Sequence, residues 1–166
     1  MKGIDLILWK IILTTKCLSC RYHAQSGRQK NCRSIKYKRC GYAYEAKNRM
    51  GNIIFGGCQS SRAKTPSRAM QEALMEAILK ARELVFGIIL ILTKSRNLVK
   101  ICNGRCKPHW LDKAMVADLT FLEQQRMLFH TIYVPNFVLY PPVKLAAIAS
   151  RFPVHHHWVY PEFCNT

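Results

Sequence analysis

Acidic residues are scarce in this chain. Its 166 residues hold nine Asp and Glu against 26 Lys and Arg, for a formal charge of +17. That shortage excludes chemistry needing a dense cluster of carboxylates, above all the holding of a catalytic divalent cation. Long apolar runs are missing as well. The opening MKGIDLILWKIIL is interrupted by Asp5 and Lys10 and falls far short of the roughly 18 apolar residues of a membrane span. No small-residue cleavage site follows it cleanly, which points to an intracellular protein of nucleus or cytoplasm and not to a secreted or membrane one. The eight cysteines are accordingly expected to be mostly reduced. No glycine precedes Lys94 within six residues, so Thr93-Lys94-Ser95 cannot be a loop whose amides wrap a phosphate.

What is present is a globular composition, 49% hydrophobic and 21% charged, of a length that suits one domain with a real core. The positive field favours polyanions, nucleic acid being the commonest. Residues 1–28 show no clear period and end in the polar stretch SCRYHAQSGRQK, which reads as an appendage or linker. A domain over 29–150 and an irregular aromatic tail over 151–166 follow. Cys40–Ala46 and Asn52–Cys58 suit antiparallel strands, with Gly51 free to turn the chain between them and a third strand placed near Arg33–Tyr37. Thr65-Pro66-Ser67 starts a helix whose Ala69, Met70, Ala73, Leu74, Ala77, Ile78, Ala81 and Leu84 share one face. Phe86–Leu92 is a continuous apolar run, the mark of a central strand reached by a crossover helix and therefore parallel to its partner. Helices over Ser95–Cys102 and Trp110–Phe129, a strand at Phe129–Val134 and a helix through Val143 and Ala149 complete an α/β order.

That order, with the phrases GNIIFGG, EALMEAILKAREL, LTKSRNLV, NGRCKPHW and Val134-Pro135, resembles the ribonuclease H-like domain over residues 30–150. It is most similar to the plant retroelement branch often called reverse-transcriptase-like. The resemblance implies a five-stranded mixed sheet flanked by helices. In active members it also implies four carboxylates that hold two magnesium ions and cleave the RNA strand of an RNA–DNA hybrid. Carried over by register, those carboxylate positions fall on Arg33, Met70, Lys94 and Val143, none of them acidic. Glu72 lies about 200° around the helix from Met70, and Glu45 and Asp112 sit on elements that do not reach the site together. The expectation is a degenerate, catalytically silent domain with no cofactor. It would act as a monomer binding nucleic acid through Ser95, Arg96, Lys100, Arg105 and Lys107, which lie beside the substrate groove in the family. A non-enzymatic interaction module, or an unselected relic, is the alternative.

Three further signals read as incidental. Cys17, Cys20, His23, Cys32 and Cys40 offer zinc ligands at no standard spacing. Cys102 and Cys106 read as lone thiols, and His155-His156-His157 as a solvated tail. Val85 is disfavoured by its β-branch if the long helix ends there in a left-handed turn, and Lys94 and Arg33 would repel each other on adjacent strands. Local choices at odds with a fold are what neutral decay leaves behind.

Overall fold

Residues 8–21, 35–63, 65–140 and 142–160 are described by a computed structural model. Their first element corrects the reading of residues 1–28 as an appendage, because β1 (Leu8–Arg21) is a central strand. Ile11, Ile12, Leu13, Thr14 and Thr15 are all buried, so side chains on both faces of the strand are covered. A strand packed on both faces shows no alternation, and the Thr-Thr-Lys in the middle of this one reads as polar linker. The third strand placed at Arg33–Tyr37 is not separate. Ile35 already belongs to β2 (Ile35–Lys47), and Arg33 lies outside the described residues.

β2 pairs antiparallel with β1 and with β3 (Ile53–Ser61). After β3 comes α1 (Pro66–Glu83), capped by the Thr65 side chain accepting from the Arg68 N–H. Its buried Ala69, Met70, Ala73, Leu74, Ala77, Ile78 and Ala81 form the stripe expected from the sequence. The crossover leads into β4 (Ile88–Thr93), parallel to β1 with Leu13 opposite Thr93. Phe86, expected in the strand, instead lies face to face with Trp9 at 3.9 Å.

α2 (Arg96–Cys102) is capped by Ser95. The single helix expected over Trp110–Phe129 is divided into a 3-10 turn at Trp110–Asp112 and α3 (Lys113–Gln124). Arg126 at φ 67 then turns the chain into β5 (Leu128–Tyr133), which pairs parallel with β4. α4 (Pro142–Arg151) follows. The tail beyond it is ordered as β6 (His155–Val159), antiparallel to β3. Among the described residues this makes a mixed sheet of six strands in the order β5-β4-β1-β2-β3-β6, one more than expected.

The sheet has two different faces. Ile11, Leu13, Tyr42, Tyr44, Phe55, Ile89 and Ile91 pack with α1, α2 and α3 in the main core. On the other face α4 lies close over β2, with Ala43, Cys58 and Ala146 in a small second cluster. Gly41 permits that approach, since a Cβ there would stand 2.4 Å from the Ser150 nitrogen and 2.6 Å from the Ala146 oxygen. Gly56 and Gly57 of GNIIFGG make room for β6: added Cβ atoms would meet Trp158 at 2.4 Å and His157 at 2.6 Å.

The cysteines were expected to be mostly reduced: Cys58, Cys102 and Cys106 are free, and Cys40 is disulfide-bonded. The side chains of Cys17 and Cys20, and His23 and Cys32, lie outside the described residues. No helix among the described residues is long and apolar enough to cross a membrane.

Val85 bears out the conflict read from the sequence. It sits at φ 61 at the end of α1, while the Phe86 N–H reaches the Ala81 oxygen at 3.0 Å and the Val85 N–H the Arg82 oxygen at 3.0 Å, a Schellman closure. A left-handed conformation costs a side-chain-bearing residue roughly 1–2 kcal/mol, and Val85 is 88% exposed, so it returns little by packing. Val85→Gly is therefore expected to raise stability by about 1 kcal/mol, read as a higher urea midpoint at unchanged slope.

Candidate nucleic-acid interface

Ligand sites in open α/β sheets form beyond the carboxyl ends of parallel strands. Here β4 and β5 run parallel to β1 and end together at Thr93 and Tyr133, level with Leu13, while β1 runs on to Arg21 beside β2. Just past those ends lies an open cavity of about 480 Å³ lined by Lys16, Lys94, Asn136, Phe137, Tyr140 and Val143. Alternation along β1 from Leu13, which packs with α1, sends Ile12, Thr14 and Lys16 to the α4 face. Lys16 is exposed and Lys94 half-buried. Burial pulls the Lys94 ammonium below the usual lysine range, and the positive charge of Lys16 pulls it the same way. Among the described residues neither lysine has a carboxylate within ion-pair distance.

Two of the four carried-over positions meet in this cavity, Lys94 and Val143. Met70 is buried on the α1 face, where its sulfur accepts from the Thr93 hydroxyl at 3.7 Å, one residue from Lys94. Arg33 lies outside the described residues. Its expected place on the central strand belongs to β1. One step beyond the Leu13–Thr93 pair, Thr14 stands level with Lys94, fully buried, and its hydroxyl has no hydrogen-bond partner among the described residues. The like-charged neighbour of Lys94 is thus Lys16. Sequence reasoning missed it by setting the first 28 residues aside; the short apolar run Ile11–Leu13 was the available signal.

The acids are engaged elsewhere. Glu72 accepts from the Ser61 hydroxyl at 2.6 Å, and Asp112 accepts from the Gln71 amide. Glu45 faces Lys47 at 3.6 Å; it pairs with Ile12, four residues and about 13 Å along β1 from Lys16. Among the described residues no three His, Cys, Asp or Glu side chains gather as a cation site. The cavity's own donors do not fit a pair of divalent cations either: charged ammonium groups repel them, and valine offers no oxygen.

Of the other predicted contacts, the structure sets Arg96 at the cavity end of α2, its guanidinium carbon 4.9 Å from the Tyr133 ring centre. The Ser95 hydroxyl is used as a cap, accepting from the Leu98 N–H at 3.2 Å. Lys100, Arg105 and Lys107 are exposed at and beyond the far end of α2 and do not line the cavity. Lys144 on α4 sits 4.8 Å from the Tyr140 ring centre. Burial raises the Cys102 thiol to about 11, consistent with an inert core thiol.

A second polar group lies on the opposite face. His157, expected in a solvated tail, is held in β6 with Nδ1 2.9 Å from the Tyr44 hydroxyl and Nε2 2.8 Å from Glu76. The other Glu76 oxygen accepts from the Tyr42 hydroxyl. Neutral imidazole with its proton on Nε2 satisfies every partner: Tyr44 donates to Nδ1, and Nε2 donates to Glu76. Burial pulls His157 below the usual histidine range and Glu76 opposes it, while His155, Lys80 and His156 add to the lowering. Burial and Glu76 both push the Tyr42 and Tyr44 hydroxyls upward.

No protein-family profile and no curated protein matches the chain. Solved structures do. The N-terminal RNase H domain of Rv2228c from Mycobacterium tuberculosis aligns at TM-score 0.68 and 16% identity, over 87% of this chain and 94% of that one. LC11-RNase H1, solved with an RNA/DNA hybrid, aligns at 0.64 and 15%, over 86% and 96%. A foamy viral protease-reverse transcriptase, solved with dsDNA, aligns at 0.58 and 16%, over 87% and 94%. At these identities the likeness is one of fold: a ribonuclease H-like mixed sheet flanked by helices.

Proposed function

We propose that this chain is a nucleic-acid-binding domain of retroelement origin whose ancestral hybrid-cleaving activity is lost. The observation that carries the reading is the lysine pair, Lys16 and Lys94, lining the cavity where the resemblance calls for metal-binding carboxylates. Lys94 stands at a carried-over carboxylate position and Lys16 lines the same cavity, so the site is positive where active relatives are negative. A divalent metal is repelled there, while a phosphate is attracted without one. Arg96 beside the cavity, then Lys100 down α2 and Arg105 and Lys107 beyond its end, extend the positive surface away from it, and the formal charge of +17 supplies the long-range field. The fold shared with domains solved on hybrid and duplex supports the choice of polyanion.

The test is a labelled RNA–DNA hybrid incubated with pure protein and magnesium or manganese. Binding that weakens steeply with salt, insensitive to EDTA and without cleavage, is the expected result. Metal-dependent cleavage by the wild type, absent from a preparation of a Lys94→Glu variant, would overturn it. Val85, strained and exposed, favours the second reading, an unselected relic or a protein-interaction module. Under that reading no salt-dependent affinity for nucleic acid exists.

A further inference from the structure

We infer that the cavity beyond the end of β4, beside the middle of β1, takes single-stranded nucleic acid, a backbone phosphate lying between Lys16 and Lys94 and unpaired bases stacking on Phe137 and Tyr140. The inference rests on the binding function proposed above and adds the class of ligand. Phosphate chemistry comes first. Two ammonium groups line one cavity and act against each other, and among the described residues neither has a carboxylate to relieve it. A phosphate between them cancels the repulsion and supplies the counter-charge that the half-buried Lys94 lacks.

The rim decides between single strand and duplex. Phe137 is 81% exposed and Tyr140 55% exposed, on the turn at Asn136–Leu139 and just after it. Large rings left in water beside a cationic cavity are costly unless something flat covers them. Cations alternate with rings around this edge: Arg96 stands over Tyr133 and Lys144 beside Tyr140. Basic groups interleaved with exposed aromatic faces form the platform on which successive unpaired bases stack. Bases inside a duplex are stacked on one another and cannot reach Phe137, whereas those of a single strand can be splayed onto it. At about 480 Å³ the cavity has the dimensions of a small-ligand site, enough for a nucleotide unit but not for a paired helix. Asn136 on the same wall offers both a donor and an acceptor to a base edge.

The full chain is titrated by fluorescence anisotropy into three labelled probes at fixed salt, with EDTA present. The probes are a thymidine homopolymer of about twelve nucleotides, a DNA duplex and an RNA–DNA hybrid of equal length. The single strand is expected to bind about tenfold tighter than either duplex. Phe137→Ala, at an exposed position where folding is not at stake, is expected to weaken the single strand about tenfold more than either duplex and so erase that preference. Lys16→Gln with Lys94→Gln is expected to weaken the single strand and reduce its salt slope by about one, with circular dichroism confirming the fold. Equal binding of all three probes, untouched by Phe137→Ala, overturns the single-strand inference while leaving the binding function standing. No salt-dependent binding of any probe removes both.

Discussion

Alanine at position 41 is expected to destabilise the domain by about 3 kcal/mol, at the upper end for an overpacking change. The cause is backbone against backbone. Helix α4 lies over β2 so closely that the added carbon would stand 2.4 Å from the Ser150 nitrogen and 2.6 Å from both the Ala146 oxygen and the Ala149 carbonyl carbon. None of those atoms is the tip of a flexible side chain. The helix must move bodily, and Ala43, Cys58 and Ala146 part as it does. A whole domain is stable by about 5–15 kcal/mol, and at this chain length the loss corresponds to a fall of about 10 °C in melting temperature. Gly87→Ala is the control, because a Cβ there meets nothing within 4 Å. Its expected change is below about 0.5 kcal/mol. Equal melting temperatures for the two variants would show that α4 does not lie against β2 as described.

The second large effect is expected at Glu76, where one carboxylate serves Tyr42, and through His157 also Tyr44. Glu76→Ala leaves the Tyr42 hydroxyl and the His157 Nε2–H without their acceptor. Hydrogen bonds to a charged group contribute about 1.5–3 kcal/mol each when buried. The Glu76 and His157 side chains keep 27% and 31% of their exposure, so water replaces part of the loss and the expected cost is about 2 kcal/mol. Glu76→Gln should cost less. Its oxygen still accepts from Tyr42, and its amide donates to His157 once the imidazole proton moves to Nδ1 and Tyr44 accepts. Hydrogen exchange of the β6 amides separates this from general destabilisation, since β6 is an edge strand that opens first.

Acid should loosen the same strand. The folded state holds His157 below its unfolded value, so the unfolded chain binds the proton more readily. The stabilisation is complete above about pH 6.5, the ordinary histidine value, and is lost as pH falls through the lower folded value. Protection of β6 is expected to fall with it, and His157→Gln should flatten that dependence relative to the rest of the sheet. Uniform loss of protection over all six strands would contradict a local latch.

Elements with a period could be read from residues alone. The stripe from Ala69 to Ala81 and the uninterrupted Ile88–Thr93 each occur in the sequence as they occur in the fold. The two strands missed have no period of their own. β1 is covered on both faces, and β6 is a strand only because Gly56 and Gly57 leave space for Trp158 and His157 to cross them. Lys94 and Val143 were found from the order of phrases and do share a cavity. Lys16 was hidden with β1, and the aromatic rim at Phe137 and Tyr140 follows a turn whose shape no spacing specifies. The His157 network joins residues 113 apart to Tyr44, and nothing local foretells that contact.

The place of β1 has a consequence for how this molecule comes into being. Its residues leave the ribosome well before those of its parallel neighbour, which begins at Ile88, and of the strand beyond that, which begins at Leu128. Until about eighty residues beyond its start have been made, β1 has a partner on one side only, with Ile11 and Leu13 waiting for α1 to cover them. Closing so long a loop is slow, and the nascent chain meanwhile offers an unpaired apolar strand edge to any neighbour. Yield of soluble protein should therefore depend on synthesis rate and on chaperone capacity more than on the stability of the finished domain.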